Sequence, residues 1–177
     1  MNRNSKRNNA LSAASFIVKN HGVEKLTLEA VAKEAGISKG GLLHHFPNKQ
    51  ALIRGLVEEL TDNFVTDVNN RAANATTSDG KWSRAYLEAT FNDITEGNEM
   101  STALIASLFT SPDLLAKLQS EYLIWQKNIE NDGIDPVKST LVRLAADGLW
   151  LSEMFGLGKL NDDLREKVIR SLKDLTE

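Results

Sequence analysis

The chain has 177 residues, no cysteine and a formal net charge of −3, which excludes disulfides, thiolate zinc sites and cysteine nucleophiles and suits a reducing cytoplasm. With 41% hydrophobic and 25% charged residues it has the composition of a soluble globular protein long enough to bury a core. No apolar run approaches the roughly 20 residues that a membrane span requires.

Met1 to Asn9 is polar and basic and lacks the apolar stretch of a secretory signal. A first helix is predicted from near Arg7 to Asn20, with Leu11, Ala14, Phe16, Ile17 and Val18 as its apolar side and Gly22 as its stop. Thr27 caps a second helix that turns Leu28, Val31, Ala32 and Ala35 inward. Gly36 then makes a tight turn at positive φ. Ser38 caps a third helix that Pro47 halts near Phe46. A long helix follows from Asn48 to about Asn74, striped by Leu52, Leu56 or Val57, Leu60, Phe64 and Val68. Asn74 to Lys81 is a loop by composition.

Further helices are predicted from Trp82 to about Glu96 and from about Met100 to Thr110. Ser111-Pro112-Asp113 and Asp135-Pro136 are cap-proline starts for helices reaching about Asn131 and Phe155. The last helix opens at Asn161 and carries Leu164, Val168, Leu172 and Leu175. The expected fold is all-α with about nine helices, an N-terminal helix-turn-helix domain over 1–48 and a helical domain over 49–177.

Charge divides the same way. Residues 1–54 hold nine lysines and arginines against three glutamates, or +6, which leaves −9 for the rest. A basic head on an acidic body points to a polyanion at one end only. Thr27 to Phe46 reads helix, glycine turn, helix, the architecture whose second helix enters a major groove. That helix contains Gly40 and Gly41, each costing about 1 kcal/mol relative to alanine. Close backbone approach to a partner accounts for such a pair, and Lys39 beside it supplies charge for phosphates. His44 and His45 point about 100° apart on a helix. With His21 as the one other histidine, no metal site is expected. His44 is expected toward DNA and His45 toward the junction with the fourth helix.

The run LTLEAVAKEAGISKGGLLHHFPNKQALI, Leu26 to Ile53, resembles the N-terminal signature of the TetR family of regulators, with the likeness close over roughly 7–54. The resemblance implies that Thr27 and Lys49 contact phosphates at helix starts, that Ser38 caps the recognition helix, and that Lys39, Gly40, Gly41 and His44 face the groove. It implies also that Phe46 packs beneath that helix. Leu43 stands where the family usually has tyrosine. A leucine cannot donate to a phosphate, so that contact is either absent or replaced by an apolar one, with a thymine methyl as a candidate.

In the C-terminal part, the helix from Val137 to Phe155 is apolar nearly all round and must be covered on both sides. Paired with the last helix it would form a four-helix interface between two subunits through 137–155 and 162–175, which resembles dimerisation in the TetR family. Small residues Ala145, Gly148 and Ser152 would permit close approach. Arg143 and Asp147, four apart, pair with each other, or Asp147 serves as a buried polar contact for ligand or dimer. The resemblance further implies an internal pocket lined by Phe91, Phe109, Trp125, Trp150 and Met154, suited to an apolar or aromatic ligand.

The expected protein is a cytoplasmic homodimeric repressor of palindromic double-stranded operator DNA, released by a small-molecule effector, with no cofactor, metal or membrane partner. An enzyme is not expected: there is no cysteine, no P-loop and no Gly-x-Ser-x-Gly. The alternative is a DNA binder of the same fold without an effector, in an architectural or division-linked role. An activator also remains open.

Overall fold

The computed structural model describes residues 3–95, 105, 107–108 and 111–177. Among them are eight α-helices, one 3₁₀ turn and no strand. The helices are α1 (Arg3–His21), α2 (Leu28–Glu34), α3 (Lys39–His45), α4 (Lys49–Ala73), α5 (Lys81–Thr95), α6 (Pro112–Glu130), α7 (Pro136–Phe155) and α8 (Asp162–Asp174). The 3₁₀ turn, Val23–Lys25, follows α1 and was not legible as an element. The helix expected from Met100 to Thr110 lies mostly outside the described residues; 105, 107 and 108 are helical. α1 begins four residues before the predicted start, because nothing in the basic N-terminal run breaks a helix.

The start signals work as capping chemistry dictates. Thr27 Oγ1 accepts from Ala30 N at 3.0 Å, Ser38 Oγ from Gly41 N at 3.1 Å, and Asn161 Oδ1 from Leu164 N at 2.9 Å. Asp135 Oδ1 accepts from Val137 N at 2.7 Å ahead of Pro136 in the first turn of α7. Gly36 turns α2 into α3 at φ 62°, a conformation open to glycine without steric penalty.

Packing divides the chain into two compact units, Met1–Thr61 with Glu99–Leu115, and Asp62–Asn98 with Ala116–Glu177. The division falls inside α4 and not ahead of it. In the first unit α1, α2 and α3 pack on one another around Leu11, Ile17, Leu26, Val31 and Leu42, with Leu52, Leu56 and Val57 of α4 also buried. Each large aliphatic side chain removed from water contributes about 1.5–3 kcal/mol. Phe16, expected inside, is 49% exposed and meets His21 edge-on. Phe46 is buried, and Gly55 lets α4 pass beneath it: a Cβ at Gly55 would stand 2.7 Å from the Phe46 ring.

In the second unit α5 packs most extensively on α7. Ala85 and Ala89 of α5 and Val142 and Ala146 of α7 are buried among Val68, Trp125, Ile129 and Leu172. Asp132, buried in the turn before α7, accepts from Trp82 N, Ser83 N and Ser83 Oγ at 2.8–2.9 Å, and so caps α5 from across the sequence. Arg84 Nη1 donates to the Thr176 carbonyl at 2.7 Å and ties the end of the chain to the same corner.

One face of α7 is left bare. Val137, Leu141, Leu144, Leu151 and Phe155 are all exposed, and Gly148 between them has open space where a Cβ would be. Their spacing alternates four and three residues, the seam of a packed helix pair.

Candidate nucleic-acid interface and regulatory interior

The helix-turn-helix places its candidate residues on one short, capped element. Ser38, Lys39, Gly40, Leu43 and His44 are exposed on α3 and its cap, and Thr27 is exposed at the start of α2. A Cβ on Gly40 would meet nothing within 4 Å, so no internal contact requires glycine there. Gly41 differs, since a Cβ would come within 3.1 Å of the Ser38 Oγ that caps the helix. His44 and His45 lie edge to face at 5.4 Å, with His44 exposed and His45 half-buried. Leu43 is 37% exposed and presents an apolar surface at the position of the expected substitution.

Lys49 is half-buried, and its ammonium donates to the Val23 carbonyl at 3.2 Å. The side chain thus pins the 3₁₀ turn to the start of α4, and an ammonium with three donors retains capacity for a phosphate.

In the second unit the candidate ligand residues separate. Trp125 is 3% exposed, its ring packed edge-on against Phe64, Tyr86 and Tyr122 with centroids 5.2–5.4 Å away. Trp150 is half-buried, and its indole N–H donates to Asp93 Oδ2 at 2.9 Å. Phe91, two residues before Asp93 on α5, and Met154 are also half-buried. Phe109 lies outside the described residues.

Sequence reasoning missed the polar centre beside Trp125. Asp147 Oδ1 accepts from the Tyr86 hydroxyl at 2.6 Å and the Tyr122 hydroxyl at 3.1 Å, while Oδ2 takes Arg143 Nη1 at 2.8 Å. Arg143 Nε donates to Gln126 Oε1 at 2.6 Å, and its guanidinium lies 5.8 Å over the Tyr122 ring. Burial raises the Asp147 carboxyl above its ordinary value against the lowering effect of the Tyr86 hydroxyl and Arg143. Burial, with Asp147 adjacent, pushes Tyr122 up to about 12 and Tyr86 further still. Both phenols are therefore fixed donors at neutral pH. The i,i+4 pairing of Arg143 with Asp147 and a buried polar role for Asp147 were legible; its partners were not, since Tyr86 and Tyr122 arrive from two other helices.

Comparison with known proteins bears on both units. Residues 10–56 match the model of bacterial regulatory proteins of the tetR family, and residues 80–177 that of the tetracyclin repressor-like C-terminal domain. The nucleoid occlusion factor SlmA of Marinomonas sp. (strain MWYL1) is 30% identical over 67 residues, 38% of this chain and 34% of that protein. The HTH-type transcriptional activator FasR of Mycolicibacterium smegmatis is 28% identical over 118 residues, 66% of this chain and 53% of that one. These matches thus span between about a third and about half the length of the curated relatives. Among solved structures, a transcriptional regulator from Rhodococcus sp. Rha1 superposes with a TM-score of 0.69 at 18% identity, covering 96% of this chain and 93% of that one. The multidrug binding protein EbrR complexed with malachite green gives 0.59 at 22% identity, covering 97% and 98%. Both likenesses are of fold.

Proposed function

The chain belongs to the TetR family of bacterial regulatory proteins, and as a DNA-binding transcriptional regulator of that family we propose that it is a homodimeric repressor released from a palindromic operator by a small, largely apolar or aromatic effector. The observation that carries this reading is α3: a short helix capped by Ser38, with Lys39, Gly40 and His44 exposed and no internal use for the Gly40 hydrogen in place of a side chain. In this reading Lys39, Gly40, Gly41, Leu43 and His44 meet the major groove, and Thr27, Ser38 and Lys49 meet phosphates at helix starts. Residues 1–48 read DNA, and 49–177 bind effector and dimerise.

The bare face of α7 supports the dimer, and Leu164 and Leu175 at the two ends of α8 are exposed as well. A symmetric partner would lay the same face against it, its helix crossing nearest at Gly148. The half-buried aromatics Phe91 and Trp150, with Met154, support an apolar effector, Phe109 and Trp125 completing the proposed lining. Effector binding would alter the tilt of α4 and so the spacing of two recognition helices, which half-sites about 34–36 Å apart tolerate poorly. A regulator of transcription works beside the chromosome, so the cytoplasm is its place. Among the described residues no helix is long and apolar enough to cross a membrane. The reading assigns no catalysis.

A second reading keeps DNA binding and drops the effector. It draws on the SlmA relatives, named nucleoid occlusion factors, and on the closed packing around Trp125. The two part in one assay: operator-bound protein titrated with a panel of aromatic compounds, including malachite green, with release followed by anisotropy. Saturable release by any member supports the repressor. Release by none, with operator binding intact, favours the second reading.

A further inference from the structure

α6 carries two apolar side chains that neither the DNA-reading face nor the aromatic interior uses. Leu123 is 73% exposed and Ile124 53%, and Leu123 is the most exposed large apolar side chain among the described residues. Adjacent on a helix, the two point about 100° apart.

Hydrogen bonds between α6 and α7 fix which of them lies on the α7 side. The Tyr122 hydroxyl donates to Asp147 Oδ1 at 3.1 Å, Arg143 Nε donates to Gln126 Oε1 at 2.6 Å, and Gln126 Nε2 donates to Thr140 Oγ1 at 3.0 Å. Residue numbers rise along α6 as they fall along α7, so the two helices lie antiparallel. Outward from the buried Trp125 and Ile129, the α6 surface passes Tyr122, then Gln126, then Leu123. Outward from the buried Val142 and Ala146, the α7 surface passes Asp147, then Thr140, then Leu144. Leu123 stands one turn before Gln126 and Leu144 one turn after Thr140, so on antiparallel helices the two arrive side by side at the outer edge of the groove. Ile124 lies about 100° further round and faces away from α7.

The bare face of α7 thus runs on across the groove to Leu123. Each side chain of the polar bridge beneath it already has a partner, so the groove can be covered without orphaning them. Area calls for this extension. The 20 residues of α7 make a helix about 30 Å long, whose stripe about 10 Å wide presents roughly 300 Å². Each side of a standard interface buries about 800 Å². The α7 seam alone falls short, and its neighbours must contribute.

We propose, resting on the homodimeric reading, that α6 joins α7 in the interface between two copies of this chain, Leu123 packing beside Leu144 beneath the partner's α7. An isologous contact then buries the same residue on both copies.

The test is sedimentation equilibrium of the full-length protein over a dilution series, comparing wild type with Leu123→Glu, Ile124→Glu and Leu144→Glu. Leu123→Glu is expected to raise the dimer dissociation constant about tenfold or more, and Ile124→Glu, which adds the same charge one residue away, to stay within about twofold. Dissociation by Leu144→Glu with equal, small effects of the other two would place α6 outside the interface and overturn the inference while the homodimer stands. A dimer unaffected by all three, or a monomeric wild type, would overturn the homodimeric reading on α7 and this inference with it. The chain has no cysteine, which allows a second readout free of charge repulsion. A nitroxide on Leu123→Cys is expected to be immobilised in the dimer and one on Ile124→Cys to stay mobile. Equal mobility at the two positions overturns the placement of Leu123 under the partner.

Discussion

Gly40 is the residue at which internal stability and outward function separate most cleanly. A methyl group there meets nothing in the protein, and alanine is better than glycine in a helix by about 1 kcal/mol. Gly40→Ala is therefore expected to raise the melting temperature while lowering operator affinity. A variant that gained stability and bound operator as well as wild type would remove the case for close backbone approach. Lys39 is exposed and charged, so Lys39→Ala should weaken DNA binding uniformly across sequences and reduce the salt slope by about 1. Lys49 holds the Val23 carbonyl, and its replacement should cost stability as well as affinity. Thermal melts of the two lysine variants, read beside their DNA titrations, distinguish a surface contact from a structural staple.

Asp147 gives a pH-dependence of definite sign. Its carboxyl is raised by burial above the ordinary value of 3.8, so the folded protein binds that proton more tightly than the unfolded chain. The group's contribution to stability is then full below 3.8 and is lost as pH rises through the folded value. Asp147→Asn cannot titrate. The stability difference between wild type and this variant should shift against wild type as pH is raised from acid toward neutral, measured by urea melts. A difference that moved the other way would mean that Arg143 and the phenols outweigh burial.

At the scale of elements, the caps and breakers were legible because their chemistry is local. Thr27, Ser38, Asp135 and Asn161 each bond a backbone N–H two or three residues on, and such spacing is visible in sequence. The Asp147 centre was not, because its donors lie 61 and 25 residues away in the chain. Asp132 capping α5 from 49 and 50 residues away escaped for the same reason. Phe16 misled because an aromatic side chain beside Ile17 and Val18 reads as core, whereas α1 turns it outward. The seam on α7 belongs to this scale. Leu144→Glu, placing a charge in that exposed stripe, should convert a dimer to a monomer of unchanged helicity, as read by analytical ultracentrifugation and circular dichroism. Gly148→Trp should do the same if the helices cross there. Persistent dimers in both variants would move the interface elsewhere.

For the whole molecule, the uneven charge distribution and the Leu26–Ile53 signature already led to the family, and matches over residues 10–56 and 80–177 bear it out. The fold class followed from helical periodicity and three prolines. The proposed ligand lining is not legible in the same way, because whether an aromatic side chain lines a cavity or fills a core depends on packing among distant helices. Trp125 proves tightly packed, and Trp150 is engaged with Asp93. The most direct test of the central claim is fluorescence anisotropy of the purified protein on DNA from upstream of its own gene, against scrambled DNA, across a salt series. Tight binding that prefers an upstream palindrome and weakens linearly in log–log salt is the expected result. Equal, weak affinity for both DNAs at low salt, unaltered by Lys39→Ala, would contradict the assignment of α3 as the reading helix.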